Sequence, residues 1–343
     1  MNHPSCTALP ADVVAKPHEF RVLTGERPTG PLHIGHYFGS LQNRVRLQNH
    51  GVDLIMVIAD YQVLTDRDIH GVLSNVVHGL VLDYLAVGLD PDNTTIFVHS
   101  AIASLNQLLL PFLSLVSNAE LQRNPTVKEE IAASRRDAVS GLMYTYPAHQ
   151  AADILSCGAN LVPVGDDQLP HLELTRTIAR RFNQRYARLF PPIEALLSST
   201  PRLIGLDGRD KMSKSRGNTI DIRDSADDTA RRIKAAVTDS QRHITFDPQN
   251  RPHVANLLRL AALCRNEDPH AVAVQVGNGG AAGLKKLTIE AVNEHFAPIR
   301  ARRRAFAQDP ALVKRILKDG SLRANSLADA TLAQVKEAMG MRY

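Results

Sequence analysis

Tryptophan is missing from the 343 residues, and aromatic side chains make up 5% of them, so the chain carries no indole chromophore of its own. Cysteine is scarce as well. Cys6, Cys157 and Cys264 are odd in number and widely scattered, which argues against a disulfide framework or a thiolate metal cluster and for a reducing, cytoplasmic setting. No metal ligand set is expected. No apolar run approaches the roughly 18 residues a membrane span needs. The longest stretch, Leu108 to Val116, is interrupted by Pro111. Residues 1–19 hold Pro4, Pro10, Asp12 and Pro17 and lack an apolar core, so they read as an N-terminal extension and not as a secretory signal. Internal repeats and low-complexity tracts are absent. So are the GxGxxG and GxxxxGK[ST] patterns, which argues against an ordinary dinucleotide enzyme or P-loop NTPase.

What is present is ordinary globular composition, 44% apolar and 22% charged, in a chain long enough for two domains. Lysine plus arginine exceeds aspartate plus glutamate by 40 − 35 = 5. That excess permits a polyanionic partner without requiring one. Phe20 to Thr24 reads as a first strand, and Gly25 to Gly30 as a turn. Pro31 then stands in the first turn of a helix running to Asn49 and closed by Gly51. Leu54 to Ala59 is the continuous apolar run of a strand covered on both faces. A helical repeat from Val72 to Leu85 stops at Gly88. Thr94 to Val98 is strand-like, and a helix follows from about Ser104.

Alternating strands and helices predict an α/β fold with a Rossmann-like parallel sheet over residues 20–220. From about Asp224 the pattern becomes helical, with segments at 226–237, 253–265, 281–306, 309–318 and 322–339, and Asn278-Gly279-Gly280 as a break. Residues 221–343 are therefore expected to form a C-terminal helical domain whose last helix could return to the sheet.

Ligands of parallel α/β sheets bind beyond the carboxyl ends of the strands, which places the Gly25–Gly30 turn in a crevice. His33 and His36 lie three residues apart and share a helix face, beside unpaired N–H groups and a positive dipole end suited to phosphate. Gly35 between them keeps the backbone open to a flat ring. Lys211-Met212-Ser213-Lys214-Ser215 follows the turn-rich Asp207-Gly208-Arg209-Asp210. Alone, such a run is usually a solvated loop. With the histidine pair upstream it becomes a second cationic grip for a polyphosphate.

Together these two elements resemble the HIGH and KMSKS signatures of class I aminoacyl-tRNA synthetases. Over residues 20–340 the chain resembles the bacterial-type tryptophanyl-tRNA synthetase family. The resemblance is carried by Thr145-Tyr146-Pro147, Ala151 to Leu155, Val162 to Gln168, His171 to Arg176, Phe182-Asn183 and Thr238-Asp239-Ser240. It implies a ligase that activates L-tryptophan with ATP, releases pyrophosphate and transfers the amino acid to tRNA(Trp). Mg²⁺ would be bound mainly through the phosphates, and the protein would be a homodimer whose helical domain reads the anticodon. His33, His36, Lys211 and Lys214 would be catalytic. Arg27, Pro28, Thr29, Gly35, His36, Gly165, Asp166, Asp167, Leu203, Lys211, Met212, Ser213, Lys214 and Ser215 would bind ATP. Tryptophan would be held by Gly25, Tyr146, Gln150, Asp153, Val162, Val164 and Gln168, with Asp153 accepting the indole N–H.

Tyr146, Gln150 and Asp153 fall at i, i+4 and i+7, on one helix face flanked by small Ala151 and Ala152. The chain departs from the familiar bacterial pattern at Gln150 (often Met), Leu23 (aromatic in some relatives) and Gln62 (commonly His). A Tyr-x-x-x-Gln-x-x-Asp helix also suits a phenol, which leaves a tyrosyl-tRNA synthetase as an alternative. A nucleotide- or RNA-binding paralogue that no longer charges tRNA is the other. Two basic clusters, Arg231/Arg232/Lys234 and Arg300/Arg302/Arg303/Arg304, stand in the helical half as possible RNA contacts.

Overall fold

The computed structural model describes residues 9–65, 73–133, 138–165, 168–197, 203–209, 212–213 and 216–343. Five strands, β1 (Arg21–Glu26), β2 (Asp53–Ile58), β3 (Thr94–Val98), β4 (Leu161–Val164) and β5 (Glu194–Leu197), form one parallel sheet in the order β3-β2-β1-β4-β5. The order reverses at β1/β4, so the crevice of a doubly wound sheet opens beyond Glu26 and Val164. Side chains alternate across the sheet. Val22, Leu54, Met56, Ile58 and Ile96 join one apolar cluster. Leu23, Ile55, Val57, Phe97, Val162 and Val164 join another on the opposite face, which is why β2 reads as an unbroken hydrophobic run.

Strand β1 runs two residues past the predicted end, taking Gly25 and Glu26 out of the turn and pairing them with Val57 and Ile58. Only glycine permits this approach, because a Cβ on Gly25 would fall 2.1 Å from the Val57 carbonyl oxygen. The helical stretch after the turn, α1, comprises Ile34–His36, a π-helical turn Tyr37–Leu41 and Gln42–Asn49. It begins three residues after Pro31, because Leu32 and Ile34 are held in extended pairing described below. Arg44 of α1 reaches back to Glu26 at 2.8 Å, a buried ion pair fixing α1 to the end of β1. The stretch before β1 is more ordered than a proline-rich extension suggests. Ala11–Ala15 is a helical turn, and Val13 and Leu9 are buried in the first apolar cluster.

Helix α2 (Leu73–Val87) follows β2. Helices α3 (Ala103–Leu113), α4 (Gly141–Ser156) and α5 (Leu169–Arg185) pack mainly on the second face. Beyond residue 224 come α6 (Ala226–Ala235), α7 (Pro252–Arg265), α8 (Pro269–Val276), α9 (Gly280–Phe306) and α10 (Leu312–Ala338). Helix α8 was not expected. The two helices expected at 309–318 and 322–339 are one, Leu312–Ala338, with Gly320 helical between the two expected segments. Its missing side chain lets α10 lie on β3, where a Cβ would fall 1.9 Å from the Ile96 carbonyl oxygen. The last helix thus returns to the sheet. Arg323 donates to the Pro91 carbonyl at 2.7 Å and Thr331 to the Ser156 carbonyl at 2.9 Å, and Ser104 pairs with Asp329. Helix α9 docks on α2 through Arg303 and Asp83 at 2.6 Å, and Asp83 also accepts from the Leu32 N–H. Among the described residues no helix is long and apolar enough to cross a membrane.

Gly320→Ala is expected to lower unfolding free energy by about 1–3 kcal/mol through overpacking against β3, measured by denaturant unfolding. Gly283→Ala in α9 has only the Val276 Cγ1 near its Cβ, at 3.6 Å. It should be neutral or gain up to ~1 kcal/mol.

Candidate active site

At the carboxyl end of β1 the chain forms two antiparallel main-chain bonds with a segment almost 190 residues away. Ile34 N–H donates to the Ile220 carbonyl and Ile222 N–H to the Leu32 carbonyl, both at 2.9 Å, with His33 facing Asp221. This clip makes His33 the N-cap of α1. Its Nδ1 accepts from the Gly35 N–H at 3.1 Å, while His36 Nδ1 accepts from the His33 N–H at 3.2 Å. Accepting at Nδ1 requires a lone pair there, so in the neutral rings the proton sits on Nε2. The rings lie 3.7 Å apart. A Cβ on Gly35 would come within 2.9 Å of the His33 ring.

The same clip brings in the lysine–serine loop. Met212 Cβ stands 3.8 Å from the position of a Gly35 Cβ, and Met212 N–H donates to the Leu203 carbonyl at 3.2 Å. Ser213 N–H donates to Asn218 Oδ1 at 2.8 Å, and Asn218 Nδ2 donates to Asp207 at 2.9 Å, which holds the Asp207 carboxyl below its ordinary range. Asn256 of α7 clamps the Ile204 main chain on both sides, at 3.0 and 2.9 Å. Lys211, Lys214 and Ser215 lie outside the described residues, as do Asp166 and Asp167.

Around the crevice mouth, Arg27 reaches Glu130 at 3.2 Å and Thr65 at 3.4 Å. Thr29 N–H donates to the Arg27 carbonyl, and Pro28 is buried. Gln168 N–H donates to the carbonyl of exposed Gly165, just beyond β4. Helix α4 presents Tyr146 and Asp153, both buried, and Gln150, half-buried. Val162 and Val164 of β4 are buried and Gly25 is half-buried at the end of β1. The Tyr146 hydroxyl meets His171 Nε2 at 2.9 Å, and His171 Nδ1 meets Asn124 at 3.3 Å. Burial, then the Glu130 charge, pushes the Tyr146 phenol well above its ordinary value. Asp153 Oδ1 lies 2.8 Å from Nε2 of His99, in the turn after β3. The His99 ring stands 4.7 Å from that of His149, one α4 turn before Asp153.

Asn218, Asn256, Glu130, His99 and His149 were not read as site residues. Gly217-Asn218 stands one residue beyond the Lys211–Ser215 run, the one local signal available. The others become neighbours only through the sheet.

The family of tRNA synthetases class I (W and Y) matches residues 15–297. The chain belongs to that family. It is 40% identical over 338 residues to the tryptophan–tRNA ligase of Streptococcus pyogenes serotype M1, covering 94% of this chain and 98% of the relative. The ligase of Lactococcus lactis is matched to the same extent. Among solved structures, the tryptophanyl-tRNA synthetase of Campylobacter jejuni complexed with ADP and tryptophan superimposes with a TM-score of 0.81 at 29% identity, over 93% of this chain and 99% of that one. A tyrosyl-tRNA synthetase of Archaeoglobus fulgidus shares the fold, with a TM-score of 0.63 at 22% identity over 84% of this chain and 92% of that one.

Nitrogen-15 spectra of the histidines above the imidazole titration range should show His33 and His36 as Nε2–H tautomers. Gly35→Ala should disturb the His33 signals first. Nδ1–H signals from both rings in the wild type would refute the capping arrangement.

Proposed function

We propose that this chain joins L-tryptophan to tRNA(Trp), activating the amino acid with ATP to tryptophanyl-adenylate and then transferring it to the terminal ribose. The observation that carries the reading is the clip of Leu32–Ile34 to Ile220–Ile222, which brings Met212 over Gly35. That proximity supports reading the two signatures of the family as parts of one site. Similarity of 40% to tryptophan–tRNA ligases over nearly the whole chain favours tryptophan over tyrosine.

The tryptophan carboxylate is ionised at neutral pH and needs no general base, so positioning and charge stabilisation supply the rate. His33 and His36, held as Nε2–H donors, bind the triphosphate from the helix side. Lys211 and Lys214 close on it from the loop, with Met212, Ser213 and Ser215 beside them. Arg27, Pro28, Thr29 and Gly35 border the phosphates and ribose. Gly165, Asp166, Asp167 and the Leu203 main chain hold the rest of the nucleotide. Carried as part of the ATP substrate, Mg²⁺ would supply charge neutralisation at the phosphates; no residue of the chain is assigned to it. Gly25, Tyr146, Gln150, Val162, Val164 and Gln168 enclose the amino acid, and Asp153 accepts the indole N–H. A pocket built around one buried acceptor rejects analogues lacking the donor by up to ~10⁴-fold. Residues 221–343 take the tRNA, the working unit is a homodimer, and the enzyme acts in the cytoplasm.

ATP–pyrophosphate exchange should respond to tryptophan alone; exchange with tyrosine alone, or none, would favour the alternative readings. In single-turnover adenylate formation, Lys214→Ala should lower the chemical rate about 10²–10³-fold, as for other lost transition-state charges. ATP affinity should change far less. Equal losses in both would contradict a role confined to the transition state.

A further inference from the structure

Beneath the α4 face of the pocket, His99, His149 and Asp153 are buried, each at 2% exposure or less. One ligand-capable atom from each lies within 4.8 Å of the others. The state of His149 follows from Asn106 of α3. Asn106 Nδ2 donates to the carbonyls of His99 and Ile102, at 2.8 and 2.7 Å, which turns its Oδ1 to His149 Nε2 at 2.8 Å. Nε2 therefore carries the hydrogen and Nδ1 a lone pair. That Nδ1 has no hydrogen-bond partner. His99 Nε2 and Asp153 Oδ1 are 2.8 Å apart but not aligned as a hydrogen bond, and each lacks any other. Leaving buried polar atoms unsatisfied is destabilising.

We infer that His99, His149 and Asp153 form a binding site for a single Zn²⁺ ion. Two imidazole nitrogens and one carboxylate oxygen are a donor set suited to zinc. The Asn106 bond to His149 Nε2 is the outer contact that orients a ligating imidazole. His99 sits at the end of β3 and the other two ligands one turn apart on α4, so the site ties sheet to helix. If Asp153 also accepts the indole N–H, a point resting on the proposed function, then zinc and tryptophan compete for one carboxylate.

The test is titration of chelator-treated full-length protein with Co²⁺, read by its visible absorption, and with Zn²⁺ by calorimetry. One equivalent should bind. His149→Gln and His99→Gln should each weaken binding more than tenfold. Asn106→Ala keeps all three ligands, and its loss of orientation should weaken binding about 10–100-fold. A wild type that takes up no equivalent, or a folded His149→Gln that binds like wild type, overturns the site. So does wild-type affinity in Asn106→Ala if the histidine variants fail to fold. Saturating tryptophan should weaken metal binding at least tenfold. If the metal binds, is lost in His149→Gln and ignores tryptophan, the zinc site stands and Asp153 is not the indole acceptor.

Discussion

Two hydrogen bonds between Leu32–Ile34 and Ile220–Ile222 fasten the start of α1, with His33 and His36, to the chain that follows Met212 and Ser213. They bond main chain to main chain, so they constrain position without depending on which side chains flank them. The consequences spread in both directions. On one side the extended pairing delays helix α1 until His33 can cap it, which sets both imidazole rings and their tautomers. On the other it fixes the chain at Ile220–Ile222, soon after Met212 and Ser213.

The anchoring continues through side-chain amides. Asn218 satisfies Ser213 and Asp207, Asn256 satisfies both main-chain groups of Ile204, and Asn106 orients His149. Asn256 and Asn106 each take up two main-chain groups or a main-chain group and a ring that would otherwise go unpaired, and Asn218 takes up the Ser213 N–H and the Asp207 carboxylate. The Thr238-Asp239-Ser240 segment works at one remove. Asp239 takes both arms of Arg251 at 2.7 and 2.8 Å, and Arg251 is the N-cap of the helix that carries Asn256. A stretch that reads as a family signature is, in this fold, a support for the loop that holds Met212.

Strands and most helices were legible because burial writes itself into the sequence. β2 and β3 are covered on both faces and show unbroken apolar or β-branched runs. The boundaries that failed did so where a tertiary contact overrode a local preference. Gly25 belongs to a strand because β2 needs its bare Cα, and Gly320 belongs to a helix because β3 does. Glycine marks turns when chain entropy decides, and close approach when packing decides. The local sequence does not separate the two. The histidine and lysine grips were visible as motifs, since each is short and contiguous. His99, His149 and Glu130 were not, since each acquires its partner across the sheet or from a neighbouring helix.

Charge in the helical half makes the same point about partners. The four arginines between 300 and 304 read as one basic cluster, yet Arg300 is buried with Thr229 and Asn293, and Arg303 is spent on Asp83. Arg302 donates to the Ala86 carbonyl. These side chains fasten α9 to α2 and α6, and α2 in turn carries Asp83, which receives the Leu32 N–H beside the clip. In the other cluster, Arg231 and Arg232 pair with Asp228 and Asp224. A surface that attracts RNA must offer cations whose counter-charge is a releasable ion; an arginine already satisfied inside the fold contributes little. The net excess of five positive charges therefore does not map where a polyanion docks, and these arginines serve to fasten α9 to α2 and α6.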